Sequence, residues 1–187
     1  MLFLDNQTNT VRDDLRKTIR KDSRLSIAAA CFSVYAYQEL KEQLEGVEEL
    51  RFLFTSPTFL KEKVPKAKRE FYIPRLNRER SIYGTEFEVK LRNELTLKAI
   101  SRECADWVRR KVTFKSNTTP EQMPGFITVD ESTYMPISGF TTVDLGCERG
   151  NNVYNFVTRT EASENSRQYL RLFDELWRDD TRLQDVT

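Results

Sequence analysis

The residues able to do chemistry are few, and the first fact about them is an absence. The chain contains no histidine, which removes the usual general base and proton shuttle together with the commonest metal ligand. Its three cysteines, Cys31, Cys104 and Cys147, stand far apart with no Cys-x-x-Cys pair. That spacing indicates neither a disulfide framework nor a zinc site. Without histidine to draw off a proton, Cys31 and Cys104 read as buried apolar residues rather than nucleophiles. Asp130, Glu131 and Asp144 are the carboxylates that could gather round a magnesium ion, although a hairpin and a loop use the same residues. Gly139, Gly146 and Gly150 do not form a phosphate-binding loop, since no Gly-Lys-Ser/Thr follows them. No catalytic residue, metal ligand or cofactor site is therefore assigned.

The strongest functional signal is a stretch of charge. Between Phe59 and Tyr83, the side chains Lys61, Lys63, Lys66, Lys68, Arg69, Arg75, Arg78 and Arg80 oppose only Glu62, Glu70 and Glu79. The stretch carries net +5 in a chain of net +1, leaving −4 for everything else. Phe71, Tyr72 and Tyr83 are interleaved with the charges, and Pro65 and Pro74 break any long helix. Basic side chains neutralise phosphates and aromatic rings stack on bases, so Lys61, Lys63, Lys66, Lys68, Arg69, Tyr72, Arg75, Arg78 and Arg80 are the candidate nucleic-acid contacts. A solvated surface excursion has the same composition. Thr141-Thr142, with Arg149 and Asn151 nearby, is a weaker candidate.

These residues need a scaffold. The 187 residues, 39% hydrophobic and 32% charged, are enough for one sizeable domain. Leu25–Cys31 is uncharged throughout and reads as a central strand buried on both faces; its three alanines also suit a helix. Leu50–Thr55 is the expected parallel neighbour, reached through a helix over Ala36–Leu44 that Gly46 stops. Thr10–Arg20 carries Val11, Leu15 and Ile19 on one stripe and reads as a helix. Glu86–Val108 and Ser163–Trp177 are predicted as longer amphipathic helices. Arg110–Ser116 and Asn152–Thr158 are predicted strands, and Gly125–Asp130 and Tyr134–Ile137 a hairpin joined by Glu131-Ser132-Thr133. The β-α-β rhythm gives an α/β class with a mixed central sheet and helices on both faces.

Several phrases resemble a known family when taken in order: Leu25-Ser-Ile-Ala-Ala-Ala-Cys-Phe-Ser33, Leu50-Arg-Phe-Leu-Phe54, Arg102-Glu-Cys-Ala-Asp-Trp-Val108 and Phe173-Asp-Glu-Leu-Trp177. Together they are similar to the phospholipase D-like domain at the N-terminus of bacterial superfamily 2 helicases of the Swi/Snf type. The resemblance covers nearly the whole chain. It implies a His-x-Lys motif on a strand, followed by a Gly/Ser/Asn-rich turn that holds phosphoryl oxygens. Here Met123 and Gly125 fall where His and Lys belong, and Ser138-Gly-Phe-Thr-Thr142 lacks the asparagine. The implied activity is thereby lost while the implied fold is kept.

The expectation is a single phospholipase D-like domain over residues 1–187, the N-terminal fragment of a longer helicase-related protein. It would be a catalytically inactive accessory module that binds or positions DNA or RNA. ATP and magnesium would belong only to downstream helicase domains of the same chain. The alternative is a protein-interaction or homodimerisation domain without nucleic-acid contact. No stretch is apolar enough to span a bilayer, and a cytoplasmic location is expected.

Overall fold

The structure is a computed structural model that describes residues 1–57, 60–61, 71–72, 95–149 and 155–187; for 60, 61, 71, 72 and 95–98 it describes the backbone only. The class is α/β. Strand β1 (Leu2–Leu4) leads to helix α1 (Val11–Thr18), β2 (Arg24–Ala29), α2 (Val34–Glu45) and β3 (Glu49–Phe54). A short pair, β4 (Leu60–Lys61) and β5 (Phe71–Tyr72), stands apart as its own two-stranded sheet. Then follow α3 (Leu95–Lys111), β6 (Val112–Asn117), β7 (Phe126–Val129), β8 (Ser132–Met135), β9 (Val157–Glu161), α4 (Glu164–Arg178) and β10 (Leu183–Asp185).

Eight of these strands form one mixed sheet in the order β1-β9-β8-β7-β2-β3-β6-β10. At its centre β2, β3 and β6 run parallel, with Leu25 opposite Leu50 and Leu50 opposite Val112. On the other side of β2 the direction reverses, and β7 pairs with it antiparallel. Ala28 and Ala29 are thus in a strand, but β2 ends at Ala29: Ala30 is exposed and Cys31 half-buried beyond it, so the uncharged run outlasts the strand by two residues. Burial on both faces removes the solvent-exposed side that would give an alternating pattern, and long-range pairing overrides their helix preference.

The two faces are unequal. On one, α1, α2 and α3 bury Val11, Leu15, Tyr37, Leu40, Leu44 and Trp107 against Leu25, Ile27, Leu50, Phe52 and Val129. The Trp107 indole N–H donates to the Leu44 carbonyl at 2.9 Å, and its ring lies 4.9 Å from that of Tyr37. On the other face, among the described residues, α4 packs Phe173 on Ala28, Leu53 and Phe126. Beneath α4 the register aligns Arg51, Ser26, Thr128, Thr133 and Thr160 in one row across five strands. The Arg51 guanidinium donates to Asp174 at 2.8 Å and to Ser26 Oγ at 2.9 Å, and lies over the rings of Phe173 and Trp177.

Local signals set the element ends. Thr10 accepts from the Asp13 N–H to cap α1, Ser33 caps α2, and Ser163 accepts from the Ser166 N–H to cap α4. Several expectations are corrected. The β7–β8 turn is only Asp130-Glu131, and Ser132 and Thr133 are buried strand residues. Asp130 closes the turn early because it adopts a left-handed φ of 49° while its carboxylate accepts from Ser23 Oγ and the Arg24 N–H. β9 begins at Val157 rather than Asn152 and runs on to Glu161; residues 151–154 lie outside the described residues. α3 is described from Leu95, so the expected start at Glu86 also lies outside them. Strands β1 and β10 were not expected at all.

Candidate functional site

In an open α/β sheet, the carboxyl ends of the parallel strands form a crevice where strand direction changes. Here that edge is assembled from the residues after β2, β3 and β6, together with the 138–149 loop. The Ala30 N–H donates to the Ser138 carbonyl at 2.9 Å, and Phe140 and Cys31 meet through a 2.8 Å main-chain bond. Asn117, fully buried at the end of β6, donates to the carbonyls of Thr55 and Glu121 and accepts from the Thr119 N–H and hydroxyl. All four bonding positions of that amide are used, so Asn117 clamps the loops after β3 and β6 together.

The basic stretch departs from this same edge. β3 ends at Phe54, and the chain passes through Thr55, Ser56 and Pro57 before β4. The β4–β5 ladder sets Leu60 opposite Tyr72 and Lys61 opposite Phe71. Two of the nine candidate contacts, Lys61 and Tyr72, are thereby placed at adjacent rungs of one backbone ladder. Lys63, Lys66, Lys68, Arg69, Arg75, Arg78 and Arg80 lie outside the described residues.

The carboxylates considered for a metal are separated. Asp130 bonds the amino-terminal end of β2, whereas Asp144 lies by its carboxyl end. A six-residue strand separates them by about 20 Å, so no shared ion is held. Among the described residues no group of three or more His, Cys, Asp or Glu lies together to hold a metal. Burial pushes the Cys104 thiol up to about 12, and Cys147, half-buried and near Glu39, is pushed up to about 12 chiefly by desolvation. Neither is a thiolate near neutral pH.

The turn that the resemblance assigns to phosphoryl oxygens has a definite occupant. The Asp144 carboxylate accepts from the Thr141 hydroxyl at 2.5 Å. Burial nevertheless raises its pKa, outweighing that bond. Gly125 precedes β7, and a Cβ there would overlap the Ile137 carbonyl. No side chain, lysine included, fits at that position. The Thr141-Thr142 pair is buried and Arg149 is exposed; Asn151 lies outside the described residues. Sequence reasoning missed the clamp Asn117, which carries no motif, and the role of Asp144, whose signal is its three-residue spacing from Thr141.

Among the described residues, no helix is long and apolar enough to cross a membrane. No family model matches the chain, and no curated protein matches it. Among solved structures it is similar to TrmBL2, an archaeal chromatin protein whose structure is described as showing a novel mode of DNA binding. The TM-score is 0.44 at 8% identity, covering 99% of this chain and 52% of the other. The chain thus spans about half the length of that structure. At this score and identity the likeness decides neither fold nor function.

Proposed function

We propose that this chain is a nucleic-acid-binding module of phospholipase D-like type, catalytically inert and serving a helicase in the same polypeptide. The observation that carries the binding reading is the net +5 stretch in an otherwise net-negative chain, inserted where β3 leaves the carboxyl edge of the parallel strands. A cluster of cations of this kind suits salt-dependent, weakly sequence-selective contact with phosphates. The absence of histidine leaves no phosphohistidine route, and the module is expected to hold DNA or RNA without cleaving it. ATP and magnesium belong to the helicase part.

Binding at rising salt tests this reading. Each neutralised phosphate releases about 0.9 counterion on duplex and about 0.7 on a single strand. Changing Lys66, Lys68 and Arg69 to Ala should lower the slope of log affinity against log salt by roughly two to three. Tyr72→Ala should weaken single-strand binding by about 1–3 kcal/mol and leave that slope unchanged. An unaltered triple variant sinks the reading.

A second reading, a homodimer or protein-interaction domain, is favoured by one observation. The edge strand β1 exposes Leu2 and Phe3, and Met1 before it is exposed too, beside an exposed Phe156, with the Phe3 and Phe156 rings 4.9 Å apart. Concentration-dependent sedimentation that Phe3→Ser abolishes, in a protein without salt-dependent binding, would establish it instead.

A further inference from the structure

Beside α4 the sheet leaves a groove of about 550 Å³. Thr158 and Thr160 of β9 line one wall, and Asn165, Gln168 and Tyr169 of α4 the other. The eight residues lining it include no charged side chain, in a chain that is 32% charged. A merely solvated helix face would carry its share of charge, so this neutrality restricts what can enter. The walls are held from behind. The Thr160 hydroxyl meets Ser166 Oγ at 3.0 Å, Thr158 Oγ1 donates to the Met135 carbonyl at 3.2 Å, and the Tyr169 ring rests 5.1 Å from that of Phe126. Walls fixed in this way make a preformed site. The side-chain amides of Asn165 and Gln168 and the Tyr169 hydroxyl, by contrast, have no hydrogen-bond partner among the described residues.

The groove lies at the carboxyl edge of the parallel strands and beside free cations. β8 runs parallel to β2, since each is antiparallel to β7. Met135 and Thr158, opposite one another in register, therefore stand at the edge from which the basic stretch departs. The outer side of α4 carries Arg167, Arg171 and Arg178, which at about 100° per residue fall on one stripe. Arg167 pairs with Glu164 at 3.8 Å, whereas Arg171 and Arg178 have no carboxylate partner among the described residues. Arg171 follows Gln168 by three residues, so the two side chains are neighbours on the helix surface.

A flat, uncharged heterocycle with donors and acceptors along its edge fits this lining. Carboxamides pair with nucleobase edges through their adjoining donor and acceptor, and a tyrosine ring offers its face to a base. A hydrocarbon would leave the amide heads unpaired, and an ionic ligand would find no counter-charge inside the groove. We propose that the groove between α4 and β9 takes a nucleobase, read by Asn165 and Gln168 and stacked on Tyr169, with the attached phosphate held outside by Arg171. The base site stands on the groove alone; that the base belongs to a DNA or RNA strand rests on the nucleic-acid reading proposed above.

The probes are adenosine and cytidine, with ribose as control, none of which carries a phosphate. Each is titrated into the full chain and read by the side-chain amide signals of Asn165 and Gln168. The nucleosides should give a saturable shift that ribose does not, equal at low and high salt. Gln168→Ala, at an exposed position, and Tyr169→Leu should each weaken nucleoside binding about tenfold, and Tyr169→Phe should keep it. A single-stranded oligonucleotide should bind more tightly than either nucleoside, with a salt slope that Arg171→Ala and Arg178→Ala together lower by about one to two. No saturable shift with either nucleoside overturns the proposal, as does an equal shift with ribose or an affinity unchanged in both Gln168→Ala and Tyr169→Leu. Oligonucleotide binding without a nucleoside response sinks the groove and spares the basic stretch. Nucleoside binding kept when Lys66, Lys68 and Arg69 are all changed to Ala supports the groove even where oligonucleotide binding is lost; nucleoside binding lost there overturns it. Signals that broaden with protein concentration and ignore nucleosides give the groove to a second copy of the chain, and overturn it too.

Discussion

The two faces of the sheet are stabilised by different physics. On the face covered by α1, α2 and α3, adhesion is dispersion and water exclusion among side chains such as Tyr37, Phe52 and Trp107, all 0% exposed. On the α4 face the apolar cluster is small, and a cation with a row of hydroxyls takes up much of the contact. Area is therefore the currency of the first face and geometry that of the second, since a hydroxyl or guanidinium helps only when its partner stands in place.

The largest break in this comparison is expected from Trp107→Ala. It empties a fully buried site and leaves the Leu44 carbonyl without its donor. The cost is about 3–5 kcal/mol, read from urea unfolding at neutral pH.

Next comes an alkaline effect belonging to the same face. Cys104 is pushed up from 9.0 to about 12, whereas the apolar cluster under α4 contains no thiol. A raised pKa means that the folded state holds the proton more tightly. The contribution is complete below the unfolded thiol's range and is lost as pH climbs from there through about 12. The slope is at most about 1.4 kcal/mol per pH unit. Cys104→Ala should flatten the alkaline limb of stability against pH; an unchanged limb would place the titration elsewhere.

Arg51→Ala tests the α4 face itself. It removes the Asp174 and Ser26 bonds and the stacking on Phe173 and Trp177. A loss of about 1–3 kcal/mol is expected, reduced because Arg51 and Asp174 are partly solvated. Arg51→Met, which keeps the stem packing, should recover part of it. The difference between the two variants measures the charge.

The smallest effect has the opposite sign. Thr133 is fully buried in the hydroxyl row, and its Oγ1 has no hydrogen-bond partner among the described residues. Thr133→Val should be neutral or stabilising by about 1 kcal/mol. A clear destabilisation would mean that the hydroxyl has a partner after all.

This asymmetry also explains what the sequence disclosed. Residues of the thick face announce themselves through periodicity: Val11, Leu15 and Ile19 on α1, or the uncharged run at Leu25–Cys31, are legible because their spacing is repeated burial. The class, the parallel pairing of β2 with β3 and the helices on both faces follow from that. The thin face is silent, since Ser26, Thr128 and Thr133 look like exposed strand residues until the register is known. β1 and β10 are three residues each, too short for any period to show, and are strands only because β9 and β6 offer them an edge. At the candidate site, charge clustering is visible at Lys61–Arg80, while the Asn117 clamp depends on contact between distant loops. Asp144, a candidate metal ligand by its chemistry, instead accepts from the Thr141 hydroxyl three residues before it.

One feature of the strand order has a mechanical meaning. The first and last strands, β1 and β10, are the two outermost members of the eight-stranded sheet, about 34 Å apart at 4.8 Å per strand spacing. Tension transmitted through these strands pulls across the ladders, opening hydrogen bonds one after another as a zipper does. Loaded this way, β1 peels from β9 and β10 from β6 at low force, each pair sharing only three rungs. The parallel centre of β2, β3 and β6, with six and five rungs, bears the same tension but opens only after both margins have let go.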